Sequence, residues 1–76
     1  MAHMSKKPTR AQRAREFRKL RESTGLSGAQ FAELLGIRRE SVWRLENEQH
    51  DIPEPTLRLA RRLSAEVLKE REERKQ

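Results

Sequence analysis

Histidine, cysteine and paired carboxylates carry most protein catalysis, and this chain nearly lacks them. His3 lies in the opening "MAHM", which reads as an expression remnant with Met4 and Ser5 as the natural start. His50 is then the sole histidine, and its neighbours place it in a surface turn. The absence of cysteine excludes disulfides and thiolate metal sites and points to a reducing, cytoplasmic compartment. No ligand cluster has metal spacing, and no carboxylate pair marks a pocket. The expectation is no enzyme, no metal and no cofactor. What the chain has in quantity is guanidinium. "GIRRESVWRLEN", Gly36 to Asn47, sets three arginines, two glutamates, an asparagine and the only tryptophan into one helical-looking stretch. Such a surface offers long polar side chains and one large ring to a partner.

Charge says what kind of partner. The 76 residues hold 18 Lys and Arg against 12 Asp and Glu, a net charge of +6. The excess is concentrated: residues 1–21 carry eight basic residues and one acid. Clustered positive charge in a small domain favours a polyanion, most often nucleic acid. No apolar run approaches the ~20 residues needed to cross a bilayer, so no membrane partner is expected. At 33% apolar content the chain makes one domain with a small core.

The elements that position this stretch are legible from caps and periodicity. Residues 1–8 read as the remnant plus a flexible basic arm, with Lys6 and Lys7. Thr9 with Gln12 fits a capping box, and a first helix runs from about Arg10 to Thr24, with Ala14, Phe17 and Leu20 inward and Gly25 as its stop. Ser27 with Gln30 makes a second capping box, stapled by Leu26 and Phe31. Phe31, Leu34 and Leu35 are the expected buried stripe of a short second helix, which Gly36 closes. A third helix spans about Arg39 to Asn47, with Ile37, Val42 and Leu45 inward. "EQHDIPEP" interrupts, because its prolines suit a helix start and not a helix interior. A fourth helix follows with Leu57, Ala60 and Leu63 inward, continuing to about Leu68. The tail, residues 69–76, has no apolar face, and Lys69 with Glu73 and Glu70 with Arg74 are candidate ion pairs in a fraying helix end. The expected fold is all-α, a four- to five-helix bundle, with the module in residues 9–68.

At about 100° per residue the third helix turns Val42 and Leu45 one way and Glu40, Trp43 and Asn47 the other, flanked by Arg39 and Arg44. An α-helix with such a face fits a major groove, where long polar side chains reach base edges. Short helix, glycine turn and third helix together read as a helix-turn-helix. Trp43 has two readings: against a thymine methyl or sugar edge, or over the join to the fourth helix. Asn47 also serves as a candidate C-cap.

"LSGAQFAELLGIRRESVWRLEN", Leu26 to Asn47, resembles the helix-turn-helix of the Cro and lambda-repressor-like (XRE-like) regulators. The matching positions include Leu26, Ser27, Phe31, Ala32, Leu35, Gly36, Ile37, Val42, Leu45, Glu46 and Asn47, and the resemblance covers about residues 13–63. It implies base reading by Arg39, Glu40 and Arg44, with Trp43 beside them, in a half-site containing G·C pairs. It implies phosphate contacts by Asn47 and the second-helix start (Ser27, Gly28, Gln30), with Arg38 at the third-helix start, and with Lys6, Lys7, Arg10 and Arg13 from the basic segment. Many relatives carry a glutamine where this chain has Gly28, so a side-chain clamp is missing there. Arg21 and Glu46 resemble a structural ion pair. Relatives usually form homodimers on inverted repeats; here the candidate interface is Leu59, Leu63, Val67 and Leu68. With little chain beyond the module, no ligand-sensing domain or small-molecule ligand is expected. A small autorepressor of a phage or mobile-element operon, anti-CRISPR-associated regulators included, has this form. So does an antitoxin with a toxin partner, and RNA binding is a third possibility.

Overall fold

The computed structural model describes residues 9–74. They form four helices, α1 (Arg10–Thr24), α2 (Gly28–Leu35), α3 (Arg39–Glu46) and α4 (Glu54–Arg74), and no strand occurs among them. Both expected capping boxes are present. Thr9 and Gln12 exchange bonds at 2.8 and 3.1 Å, and Ser27 and Gln30 at 2.9 and 3.1 Å. Gly25 and Gly36 both take the left-handed conformation at φ 74° that ends a helix. The helix-turn-helix bend is a Schellman turn, in which Ile37 N–H donates to the Ala32 carbonyl at 3.0 Å and Gly36 N–H to that of Glu33 at 3.3 Å. The same motif closes α3 one residue early. Gln49 N–H reaches the Arg44 carbonyl at 2.9 Å while Glu48 occupies the left-handed position at φ 63°. A glutamate there costs about 1–2 kcal/mol and carries no sequence signal.

The core is built from all four helices. Phe17 and Phe31 are fully buried and meet edge to face, with ring centroids 5.4 Å apart at 63°. Ala32, Leu35, Val42, Leu45, Ile52, Leu57 and Ala60 surround them, with Leu20, Leu26, Ile37, Leu59 and Leu63 half-buried at the edge. One expectation is corrected, and one core residue is added. Leu34 is not part of the α2 stripe but is 46% exposed, because 100° of helix rotation separates it from Leu35. Ile52, from the loop before α4, is a core residue that periodicity had no element to assign.

α1 and α4 run parallel. Arg13 binds Glu54 and Glu16 binds Arg61; Ser64 donates to the Leu20 carbonyl, and Arg71 to that of Thr24. Both residue numbers rise together along the contact. α4 continues helical through Arg74, so most of the tail is helix, but neither Lys69–Glu73 nor Glu70–Arg74 forms an ion pair.

The end of α1 has a variation of its own. The Thr24 hydroxyl is buried; it donates to the Arg21 carbonyl at 2.6 Å and accepts from Leu26 N–H at 3.2 Å. It thus relays the bond that a complete Schellman turn would make directly between those two groups. Thr24→Val keeps the shape and removes the relay. The expected loss is about 1–3 kcal/mol, the desolvation cost of stranded backbone groups, read by denaturant unfolding. An unchanged midpoint would show that the relay does not matter.

Two exposed pairs predict acid sensitivity. Hydrogen bonds from the Arg10 guanidinium, and then its charge, hold the Asp51 carboxyl below its ordinary range. A hydrogen bond from Arg61 does the same for Glu16 against a smaller opposing effect of burial. A depressed carboxylate contributes stability above its unfolded pKa of about 4, lost as pH falls through the folded value. The unfolding midpoint therefore drops below about pH 4.5. Combined Asp51→Asn and Glu16→Gln substitution flattens that fall, and an equally steep fall in the double variant would contradict the assignment.

Candidate nucleic-acid interface

The outer face of α3 is where unpartnered cations gather beside a ring. Val42 and Leu45 are buried and fix the helix against the core, which leaves Arg39, Glu40, Trp43, Arg44 and Asn47 exposed, with Arg38 at the N-cap position. No side chain caps the start of α3. Among the described residues, Arg38, Arg39 and Arg44 have no carboxylate partner, and Glu40 has no cation. No bond joins Glu40 to Arg39 or Arg44. On α1 and α4, Arg10, Arg13, Arg18, Arg21, Arg58 and Arg61 each bind a carboxylate. The three guanidiniums of α3 and its N-cap carry no such pair and stand exposed on one face.

Trp43 is 57% exposed. It lines a groove with Arg39, Ser27, Gly28 and Ala29, between the start of α2 and the face of α3. The alternative in which it covers the join to α4 is thereby corrected. On another side of α3, Ser41 and Arg44 edge a second depression together with His50 and Thr56, the last from α4. Sequence reading assigned no role to Ser41 or Thr56, and their types carry no signal for one.

The expected phosphate residues divide. Ser27 and Gln30 stand exposed at the start of α2, but the Ser27 hydroxyl and the Gln30 side-chain oxygen are already used in the capping box. Gln30 Nε2 has no partner among the described residues. Gly28 leaves the groove open: a Cβ there would meet only Val42 Cγ1, at 3.8 Å. Asn47 donates through Nδ2 to the Trp43 carbonyl at 2.8 Å, so its amide caps α3. Arg10 and Arg13 belong to α1 and not to a free arm. Arg10 binds Asp51 at 2.7 Å and the Glu48 carbonyl; Arg13 binds Glu54 at 2.9 Å and the Ile52 carbonyl. They tie α1 to the α3–α4 loop and the start of α4, and the pairing carries no sequence signal because the partners lie about forty positions away. Lys6 and Lys7 lie outside the described residues.

Arg21 and Glu46 form the expected ion pair. The guanidinium lies side-on to the carboxylate, Nε to Oε2 at 2.6 Å and Nη2 to Oε1 at 3.0 Å, with the side chains 19% and 10% accessible. Hydrogen bonding to Glu46 raises the Arg21 pKa above its ordinary value. Its remaining nitrogen, Nη1, holds the Leu26 carbonyl at 3.1 Å. One side chain thus joins α1, the entry to α2 and the end of α3. The orientation of the outer face of α3 depends on that joint.

Of the expected interface residues on α4, Leu59, Leu63 and Val67 are half-buried on one side, spaced four apart. Leu68 is 39% exposed and turned 100° from Val67, so it does not share their stripe. Among the described residues there is no cluster of three or more metal-competent side chains, and no helix is long and apolar enough to cross a membrane.

A short helix, a glycine turn and a second helix with a cationic outer face, braced by a third, define a helix-turn-helix DNA-binding domain. A family model described as a helix-turn-helix domain matches residues 12–73, and the chain belongs to that family. The match is consistent with the XRE-like resemblance of Leu26 to Asn47. Searches of curated proteins and of solved structures returned no match.

Proposed function

We propose that the chain is a sequence-specific regulator of transcription that lays α3 in the major groove of duplex DNA and, as a homodimer on an inverted repeat, represses its own operon. The observation that carries this reading is the exposed α3 face on which Arg39, Arg44 and Glu40 have no partner among the described residues. Arginine bonds bidentately to guanine O6 and N7, and glutamate accepts from cytosine N4, so the half-site contains G·C pairs. Arg38, Asn47 and the α2 start, with Lys6 and Lys7, position the module on phosphates. Occupancy of the operator, excluding polymerase, is the simplest mechanism.

The direct test is footprinting on the DNA upstream of the protein's own reading frame, with a reporter driven by that DNA. Two protected half-sites about one helical turn apart and a falling reporter signal are expected. An unprotected upstream region with an unaffected reporter would overturn autorepression. A toxin that co-purifies in fixed ratio, or tighter binding to structured RNA than to duplex, would replace it with the antitoxin or the RNA reading.

Gly28 gives a gain-of-function prediction. Gly28→Gln puts a side-chain amide at the α2 start without a clash, since Val42 Cγ1 is at ordinary contact distance. Expected are about 0.5–1 kcal/mol of added stability from helix propensity and a roughly tenfold rise in DNA affinity from one new bond to charged phosphate. Because phosphates carry no sequence, the rise is uniform over specific and non-specific duplexes in fluorescence anisotropy. Weaker binding to both would show that the groove beside Trp43 must stay open.

A further inference from the structure

We infer that Trp43 is a specificity-determining residue that reads the 5-methyl group of a pyrimidine, so that binding responds both to thymine and to cytosine methylation at one position of the half-site. The inference rests on the reading that lays α3 in the major groove, and it names what the one ring on that helix takes there. At about 100° per residue, Glu40, Arg44 and Asn47 lie on the side of α3 turned away from the buried Val42 and Leu45. Trp43 and Arg39 lie on the flank between that side and Glu46. This flank faces the start of α2, where Ser27, Gly28 and Ala29 line the groove beside the ring. α2 does not cover the indole: a Cβ at Gly28 would meet only Val42 Cγ1 within 4 Å. The ring is 57% exposed, yet its backbone is fixed. Asn47 donates to the Trp43 carbonyl through its N–H at 3.0 Å and through Nδ2 at 2.8 Å, and the neighbouring Val42 is buried.

That position fits one feature of the groove. With α3 docked, the start of α2 addresses a backbone phosphate, while Glu40 and Arg44 address the groove floor. A ring between them meets the outer edge of a base on the strand whose phosphate faces α2. On a pyrimidine that edge is C5. Thymine and 5-methylcytosine carry the same methyl group there, and uracil and cytosine lack it. The indole has a single donor, so it cannot make the paired bonds with which arginine reads guanine. What it adds is apolar surface, and a methyl group is the apolar element of the major-groove code. Arg39 stands one helical turn before Trp43, about 6 Å along the axis. The methylated pyrimidine therefore lies within about two base steps of the guanine that Arg39 reads. A sugar contact, by contrast, would be the same on every sequence.

The test titrates the full chain against the duplex enriched from random DNA, by fluorescence anisotropy at one salt concentration. Each thymine is replaced in turn by uracil and each cytosine by 5-methylcytosine, so that only a methyl group changes. At one position of the half-site the methylated form is expected to bind about fourfold tighter, the worth of one buried carbon. A thymine enriched there makes thymine the natural source. A cytosine enriched there, with affinity rising on methylation, makes it 5-methylcytosine. Trp43→Ala removes the difference at that position and leaves the preference for guanine intact. The residue is exposed, and circular dichroism checks that the variant stays folded. Trp43 is also the only tryptophan, so its emission gives a second readout. The 5-iodo analogue of that pyrimidine sets a heavy atom against the ring and quenches it more than the same analogue elsewhere. Wild-type binding indifferent to every methyl group, a methyl effect that survives Trp43→Ala, or a Trp43→Ala loss equal on enriched and scrambled duplexes would each overturn the inference, the last in favour of a sugar contact. Any of these with guanine preference retained leaves the α3 reading standing, whereas a selection that enriches no duplex removes that reading and this inference together.

Discussion

Glu46→Ala is expected to lower the unfolding free energy by about 3–5 kcal/mol, the cost of stranding a charge after a buried pair is broken. The charge stranded is Arg21, whose Nε and Nη2 meet Glu46 at 2.6 and 3.0 Å in a site largely closed to water. Arg21 also holds the Leu26 carbonyl, so its displacement loosens the entry to α2 as well as the end of α3. A domain of this size has roughly 3–10 kcal/mol of stability in total, and the variant is expected to be largely unfolded at 37 °C. The comparison that isolates the cause is Glu22→Ala. Its partner Arg18 is well exposed, and the expected loss is below about 0.5 kcal/mol. Replacing Arg21 and Glu46 together by apolar residues of similar size recovers much of the loss, since no buried charge remains. Urea unfolding of the set decides the matter, and a Glu46→Ala loss no larger than that of Glu22→Ala would contradict it. Loss of DNA binding by Glu46→Ala reports the loosened fold and not a lost contact.

Arg39→Ala combined with Arg44→Ala is expected to do the opposite, removing specific binding and leaving stability intact. Neither guanidinium has a carboxylate partner among the described residues, and both are exposed, so their loss strands nothing in the fold. Each bidentate guanine contact supplies about 1–3 kcal/mol of discrimination. The pair together accounts for about 10²- to 10⁴-fold in affinity for the preferred site, while the electrostatic attraction to any duplex falls far less. Arg38→Ala, at a phosphate position, weakens specific and non-specific binding alike. Titration of the preferred and a scrambled duplex at one fixed salt concentration reads the ratio. A ratio unchanged in the double variant would move base reading away from these two side chains.

The elements of this fold were legible where local chemistry sets them. Thr9 with Gln12, Ser27 with Gln30, and the glycines at 25 and 36 mark four helix ends from residues within a turn of one another. The outward face of α3 followed from Val42 and Leu45 alone. What was not legible is long-range or lacks its usual residue. Arg10 and Arg13 looked like arm cations because Asp51 and Glu54 are near only after folding. The end of α3 carries Glu48 where a glycine would have announced it. Leu34 looked like core by hydrophobicity, but its rotation places it outside. The Thr24 relay and the Arg71 bond to the Thr24 carbonyl both depend on partners that sequence spacing does not display.

Selection of binding sites from random duplex DNA at physiological salt, followed by sequencing, tests the central claim most directly. An enriched inverted repeat with G·C pairs in each half-site and centres about one helical turn apart is the predicted result. Binding that retains no motif and only falls with salt would leave phosphate attraction alone and contradict sequence reading by α3.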